Sequence, residues 1–497
     1  MLRFLDPTHG QAATIPTDRV IPLRLFDDLP HGKDTIFWTP FLFNDVLDPS
    51  KLRAGLEALA TFEGWDKIGA RLRYNRNGRL YYHIPASFTK DRPAVNFCNI
   101  RHDITVGKHP VASQMQSLGA LQGQGPQIVA EVTAFKSLWD HPSVPHDFTD
   151  YLKNDLPQTG LVVVSFQDAT IVVLGWFHTF FDTPGKAELL QAWSKIVNDN
   201  PSQVGTPHDA DEDPLARLGL HRTEPYVLEG MRLTGFPWIV FAIRTLYNAI
   251  FKTYRARVLR LPSAFLQEMR QQVASELSSS EGGDINDTRL FLSDDNLITA
   301  WWARLHTVTR KDPRGTVNIF SSLGIRKALQ DDLLPSSKPY LSNAFQWYTV
   351  LVPTQEVITS GLGHLASLLR KRITESRTRQ QVEAYSALVR EKEGTLTMPI
   401  FGDATMTVLM GTNWCHGKLF DLDLTGAVIK DASTGVGAPS ARPGFPSYVQ
   451  YTSNCNVRLD YLVTVGRDHD GNYWLNAGTD EAHWKRIEQT LCVAGRM

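Results

Sequence analysis

His178 and Asp182 stand in the run Trp176-Phe177-His178-Thr179-Phe180-Phe181-Asp182-Thr183-Pro184-Gly185. A neutral imidazole can take a proton from an attacking hydroxyl and hand it to a leaving group, because its unperturbed pKa lies near ~6.5. The flanking sequence says where this imidazole is held. The runs 160–166 and 169–177 are rich in β-branched residues around a Gln167-Asp168 turn and predict a pair of strands. Pro184 and Gly185 then open an amphipathic stretch, 186–197, with Leu189, Leu190, Trp193 and Val197 on one face. His178 is therefore expected where a strand ends and the backbone opens into space. By itself a His-x-x-x-Asp spacing also suits a structural core histidine, so the rest of the chain has to decide.

A length of 497 residues predicts two to three domains of ~150 to 200 residues. The net charge of −1 leaves no basic field for nucleic acid and no acidic tail. Cys98, Cys415, Cys455 and Cys492 are scattered without metal-type pairing, the pattern of reduced thiols in a cytoplasmic protein. The opening Met1-Leu2-Arg3-Phe4-Leu5-Asp6-Pro7 is too short and too interrupted for a signal peptide. The stretch 237–254 is strongly apolar, but Arg244 lies in its middle and it falls short of the ~20 residues a span needs. An amphipathic helix packed on its domain or lying over a substrate entrance is expected, with a membrane-surface role as the lesser alternative.

Both halves mix helices with strands. The first has a strand at 20–25, a helix at 51–61 and a hairpin whose Asn75-Arg76-Asn77-Gly78 turn carries the Asn-Gly signal. A polar, proline-rich run over 198–225 marks a crossover, giving an N-terminal domain at 1–200, a linker at 201–236 and a C-terminal domain at 237–497. The second half adds a strand at 257–261, a hydrophilic loop at 278–284 and a helix at 294–309 capped by Ser293 or Asp294. Strands at 316–323 and 347–352, a helix at 362–375 and strands near 461–465 and 473–475 follow.

Several of these stretches, in this order, resemble the BAHD acyltransferases, which move acyl groups from coenzyme A; the fungal trichothecene-acetyltransferase-like branch is the nearer likeness. The matching pieces are Gly69-Ala70-Arg71-Leu72, the His178–Asp182 motif, Asp294-Asp295-Asn296-Leu297-Ile298-Thr299-Ala300-Trp301-Trp302, Gly324-Ile325-Arg326-Lys327, Tyr340-Leu341-Ser342-Asn343-Ala344, and Thr412-Asn413-Trp414 with Phe420-Asp421-Leu422-Asp423-Leu424. Two departures stand out. Thr183 follows Asp182 where many members have glycine, with Gly185 positioned to supply flexibility instead. The family's Asp-Phe-Gly-Trp-Gly is reduced here to Asp423-Leu424-Thr425-Gly426-Ala427.

The resemblance implies an α/β fold of two chloramphenicol-acetyltransferase-like domains, each a mixed sheet with flanking helices, with an active-site channel between them. It implies an acyl-CoA co-substrate, acetyl-CoA above all, and a hydroxyl acceptor such as a terpenoid, alkaloid or polyketide. No permanently bound cofactor or metal, no nucleic acid and no membrane span are expected, in a cytoplasmic monomer. His178 would be the general base. Trp414 would donate its indole N–H to the oxyanion with Thr412 assisting, or else serve as packing at a strand end. Asp182, Arg326, Asn343 and Asp423 would hold the site together. Asp182 either orients the imidazole or pairs with Arg326, and Asp423 competes for that arginine. Cys415-His416 is not read as a catalytic pair, since neighbours on a strand face opposite ways. Asp468-His469-Asp470-Gly471-Asn472 is read as a hairpin turn rather than a calcium loop. The rival readings are a cyclase or condensing enzyme on this scaffold that uses no coenzyme A, and a non-catalytic binding protein.

Overall fold

The computed structural model describes residues 8, 10–28, 32, 34–280, 291–392, 398–430, 442–454 and 458–494. Two mixed sheets dominate. A six-stranded sheet runs in the order Tyr448–Val449, Ile36–Phe43, Thr170–Phe177, Gly160–Ser165, Asn96–Arg101, with Thr452–Ser453 also paired to Ile36–Phe43. A seven-stranded sheet runs Phe345–Pro353, Thr316–Gly324, Thr407–Asn413, Asp460–Arg467, Tyr473–Asp480, Tyr254–Leu261, Gln127–Glu131. Its parallel pairs are the two that Thr407–Asn413 makes with its neighbours.

The strands expected at 160–166 and 169–177 form as an antiparallel pair, Gly160–Ser165 with Thr170–Phe177. Every residue of Thr170–Phe177 is buried. That explains its unbroken apolar run, since a strand covered on both faces has no polar side to show. The Asn-Gly hairpin is present as Arg71–Tyr74 and Leu80–Ile84. Gly78 takes a φ of +72°, the left-handed turn position that glycine fills without strain.

The expected crossover is irregular: 204–228 contains neither helix nor strand. The sheets nevertheless do not divide at 201–236. Tyr448–Val449 and Thr452–Ser453 cross to the first sheet, and Gln127–Glu131 crosses to the second. The crossing strands cover backbone that would otherwise be left as open sheet edge.

The apolar stretch near 237–254 is the helix Gly235–Phe251, and no residue in it is buried. No helix among the described residues is long and apolar enough to cross a membrane. The polar run expected as a loop from Ser278 continues the helix Ser263–Ser280, and its remainder, 281–284, lies outside the described residues. Met1 to Pro7 and Cys455 also lie outside them.

Candidate active site

The helix Thr183–Val197 follows the His178 strand directly. Asp182 is its N-cap, accepting from the Gly185 N–H at 3.0 Å. Gly185 does not act through flexibility here. A Cβ on it would lie 2.1 Å from the Leu341 carbonyl oxygen, so glycine is required for the close approach of the 340–344 segment.

That approach builds the clamp beneath His178. The Asp182 carboxylate takes two bonds from Arg326, each 2.7 Å, and one from the Ala344 N–H at 2.9 Å. Arg326 also donates to the Tyr340 and Ser342 carbonyls. Asn343 donates from Nδ2 to the His178 carbonyl at 2.8 Å, and the His178 N–H reaches the Thr35 carbonyl at 3.2 Å. The backbone of His178 is thus held on both sides, by residues far away in sequence. Asn343 is itself fixed by Asp27, which accepts from its backbone and side chain at 3.0 and 2.8 Å.

Asp182 spends its oxygens on Arg326, Gly185 and Ala344, so the pairing that sequence left open falls to Asp182. Asp423 lies elsewhere. Its side chain accepts from the Thr425 N–H and hydroxyl, and its carbonyl takes Ser194 and Asn198, tying a turn to the back of the Thr183–Val197 helix. Its expected place beside the site is therefore corrected, because it bonds within its own turn and not to Arg326.

His178, Thr412 and Trp414 all line one cavity of about 2420 Å³ between the sheets. His178 is ringed by Phe37, Trp176 and Phe345 at centroid distances of 5.6, 6.2 and 5.8 Å. Desolvation among these rings lowers its pKa below the ordinary value, while its own backbone hydrogen bond and the Asp182 charge push less strongly the other way. Burial thus favours the neutral imidazole over the charged one.

Thr407–Asn413 ends just before Trp414, and Thr412 and Trp414 both line the cavity. The Ser322 and Thr412 hydroxyls hydrogen-bond each other at 2.8 Å. Cys415 and His416 sit on a 3₁₀ turn, Cys415–Gly417, rather than on the strand. Asp468–Asn472 is a hairpin turn, as expected, between Asp460–Arg467 and Tyr473–Asp480.

Two groups escaped sequence reasoning. Lys186 is fully buried, with its ammonium 4.1 Å from the Trp414 ring centroid and 5.0 Å from that of Trp176. Burial pushes its pKa down to about 7. The sequence shows Lys186 only as the polar start of an amphipathic stretch. Asp295 was read as part of a helix start, yet it lines the cavity with its pKa pushed up to about 6 by desolvation, an Asn413 hydrogen bond opposing. A raised carboxyl pKa means that the folded state holds the proton more tightly than the unfolded one. Stability is then lost as pH rises through about 6. Asp295→Asn should therefore melt ~2–4 °C above wild type at pH 7.5, with the gap closing near pH 4. Thermal melts across that range check this; an equal gap at both ends would refute it.

No family model matches the chain. The acetyltransferase sphE of Aspergillus fumigatus is 32% identical over 494 residues, covering 96% of each chain. The chain belongs to the BAHD-type acyltransferases. Another relative, from Penicillium decumbens, is 35% identical over 484 residues and 96% of each chain, and is named transcriptional regulator calD. The crystal structure of F. graminearum TRI101 with coenzyme A and deoxynivalenol superposes with a TM-score of 0.67, covering 95% of this chain and 97% of that one, at 14% identity. The two-sheet BAHD architecture, with helices flanking mixed sheets, is therefore the fold of this chain.

Proposed function

We propose that this acyltransferase moves an acyl group, an acetyl from acetyl-CoA, onto a hydroxyl of a specialised small molecule such as a terpenoid, alkaloid or polyketide. The observation that carries the reading is the placement of His178. It is a neutral imidazole on a braced strand end, opening into a cavity large enough for two substrates. The names of sphE and of the TRI101 complex support the acyl donor and the acceptor class. The name of calD offers a regulatory reading, but the braced His178 opening into the cavity favours acyl transfer.

In this reading the acceptor hydroxyl attacks the thioester carbonyl carbon while His178 takes its proton. The carbonyl oxygen becomes an oxyanion facing the Trp414 indole N–H and the Thr412 hydroxyl. Collapse breaks the carbon–sulfur bond, and the coenzyme A thiolate leaves with the proton returned by His178. Asp182, Arg326 and Asn343 position the base through the clamp beneath it. The crossover is taken at 201–236, and the protein as a cytoplasmic monomer that needs no bound cofactor. Intact-mass analysis of candidate hydroxylated metabolites incubated with a panel of acyl-CoAs tests the whole. Acceptors gaining one acyl mass are expected, and transfer without coenzyme A would favour the cyclase or condensing alternative.

Trp414→Phe keeps the ring that packs on Tyr451 at 4.4 Å and removes the N–H. Losing an oxyanion donor costs ~10²- to 10³-fold in turnover, and the neighbouring Thr412 hydroxyl argues for the lower end. The loss should appear in kcat with both KM values nearly unchanged, because the oxyanion belongs to the transition state. Unchanged kcat, with chemistry rate-limiting, would make Trp414 a packing residue.

A further inference from the structure

The helix Gly235–Phe251 has two apolar faces and only one of them is used by the fold. Successive residues on a helix turn by ~100°, so positions 238, 241, 245 and 249 share one side, and 236, 239, 243, 247 and 250 share another. Trp238, Phe241, Thr245 and Ala249 line the cavity that holds His178. On the other side Phe236, Ile239, Ile243, Tyr247, Ile250 and Phe251 are between 48% and 75% exposed. An ordinary surface helix turns charged and polar side chains outward, and a contiguous apolar face of this kind marks a contact surface.

Charge says what it contacts. Across 232–255 there are four basic residues, Arg232, Arg244, Lys252 and Arg255, and no acidic one. Three of the four meet carboxylates: Arg232 with Glu391, Lys252 with Asp480 and Arg255 with Glu481. Arg244, midway along the helix, bonds only the Ala404 carbonyl among the described residues, and Arg458 bonds the Ala249 carbonyl. Among the described residues neither of these exposed guanidinium groups meets a carboxylate, and both border the cavity beside the helix. A second copy is a poor occupant, since a two-fold contact centred on this helix brings Arg244 toward its own copy. An anionic lipid surface offers acyl chains to the apolar side chains and phosphates to the arginines.

We propose that the helix Gly235–Phe251 docks this protein on the surface of an anionic lipid bilayer, lying in the plane of the headgroups with its cavity-lining side turned toward the protein. The helix is too short to span, and six of its exposed apolar side chains share the outward side, while Leu246, also exposed, borders the cavity.

The full-length protein should sediment with vesicles of phosphatidylcholine and phosphatidylserine. It should sediment much less with phosphatidylcholine alone, and release should follow added salt. The double variant Ile243→Glu/Ile250→Glu changes neither a cavity-lining residue nor the site, so it should melt as wild type does while binding these vesicles ~10-fold more weakly. Wild-type protein that stays in the supernatant with anionic vesicles overturns the proposal. So does a folded variant that binds as well as wild type, or a wild-type dimer in sedimentation velocity that the variant dissociates. If the variant fails to fold, Arg244→Gln with unchanged vesicle binding overturns it equally, and weakened binding supports it. Sedimentation requires no turnover, so its failure leaves the acyl-transfer reading intact, and the failure of that reading leaves this result standing.

Discussion

Purified His178→Ala should lose ~10²- to 10⁴-fold in turnover, the usual worth of a positioned general base. Its melting temperature and acyl-CoA affinity should stay close to wild type. The reason lies in how the residue is fixed. Thr35 and Asn343 hold the backbone N–H and carbonyl of His178, so trimming the side chain leaves the loop braced. The same structure fixes the pH dependence. Desolvation lowers the imidazole pKa, so the neutral form persists into mildly acid solution. The acid limb of the kcat/KM profile should therefore have its midpoint below ~6.5. Retention of more than about a tenth of wild-type turnover would remove general-base catalysis by His178 as a major contribution.

Arg326→Met should destabilise the protein by about 3 kcal/mol, because it strands a buried carboxylate. Asp182 is 7% exposed and loses two of its four donors in this variant, keeping the N–H groups of Gly185 and Ala344. Asp182→Asn in the same background should restore much of the loss. In a double-mutant cycle the two changes should couple strongly, whereas Asp423→Asn should add independently of Arg326→Met. Denaturant unfolding of the four proteins in each cycle measures this. A coupling near zero for Asp182 with Arg326 would mean that the bidentate contact contributes nothing. A fully stable Asp182→Asn enzyme with dead chemistry would instead reinstate a direct role in orienting the imidazole.

What was legible in the sequence was local. The β-branched runs before His178 gave their strands because burial on both faces leaves an uninterrupted apolar string. Ser293 was recognisable as a cap, and it forms a reciprocal box with Asn296. What was not legible was partnership across distance. Nothing around Asp27 announces that it secures Asn343, 316 positions away. Asp423 and Asp182 were equally good candidates for Arg326 until the fold separated them. Lys186 carries a charge that pattern reading assigns to solvent, yet the two indole faces of Trp176 and Trp414 enclose it. The strand Gln127–Glu131 carries no fully buried residue and sits at the edge of its sheet, so it lacks the apolar signature by which strands are recognised.

The pairing of Thr452–Ser453 with Ile36–Phe43 has a consequence for biosynthesis. The partner of this strand is synthesised only after roughly 400 further residues. At ~5–20 residues per second, Ile36–Phe43 waits roughly 20–80 s with one long apolar edge unpaired. Arg326 and Asn343, which brace the His178 loop, also emerge well after the strand they serve. Until those segments arrive, the open edge of the nascent N-terminal half is a template for pairing with neighbouring chains. Slow synthesis, or truncation before residue 448, should send the protein into aggregates rather than yield a smaller folded unit.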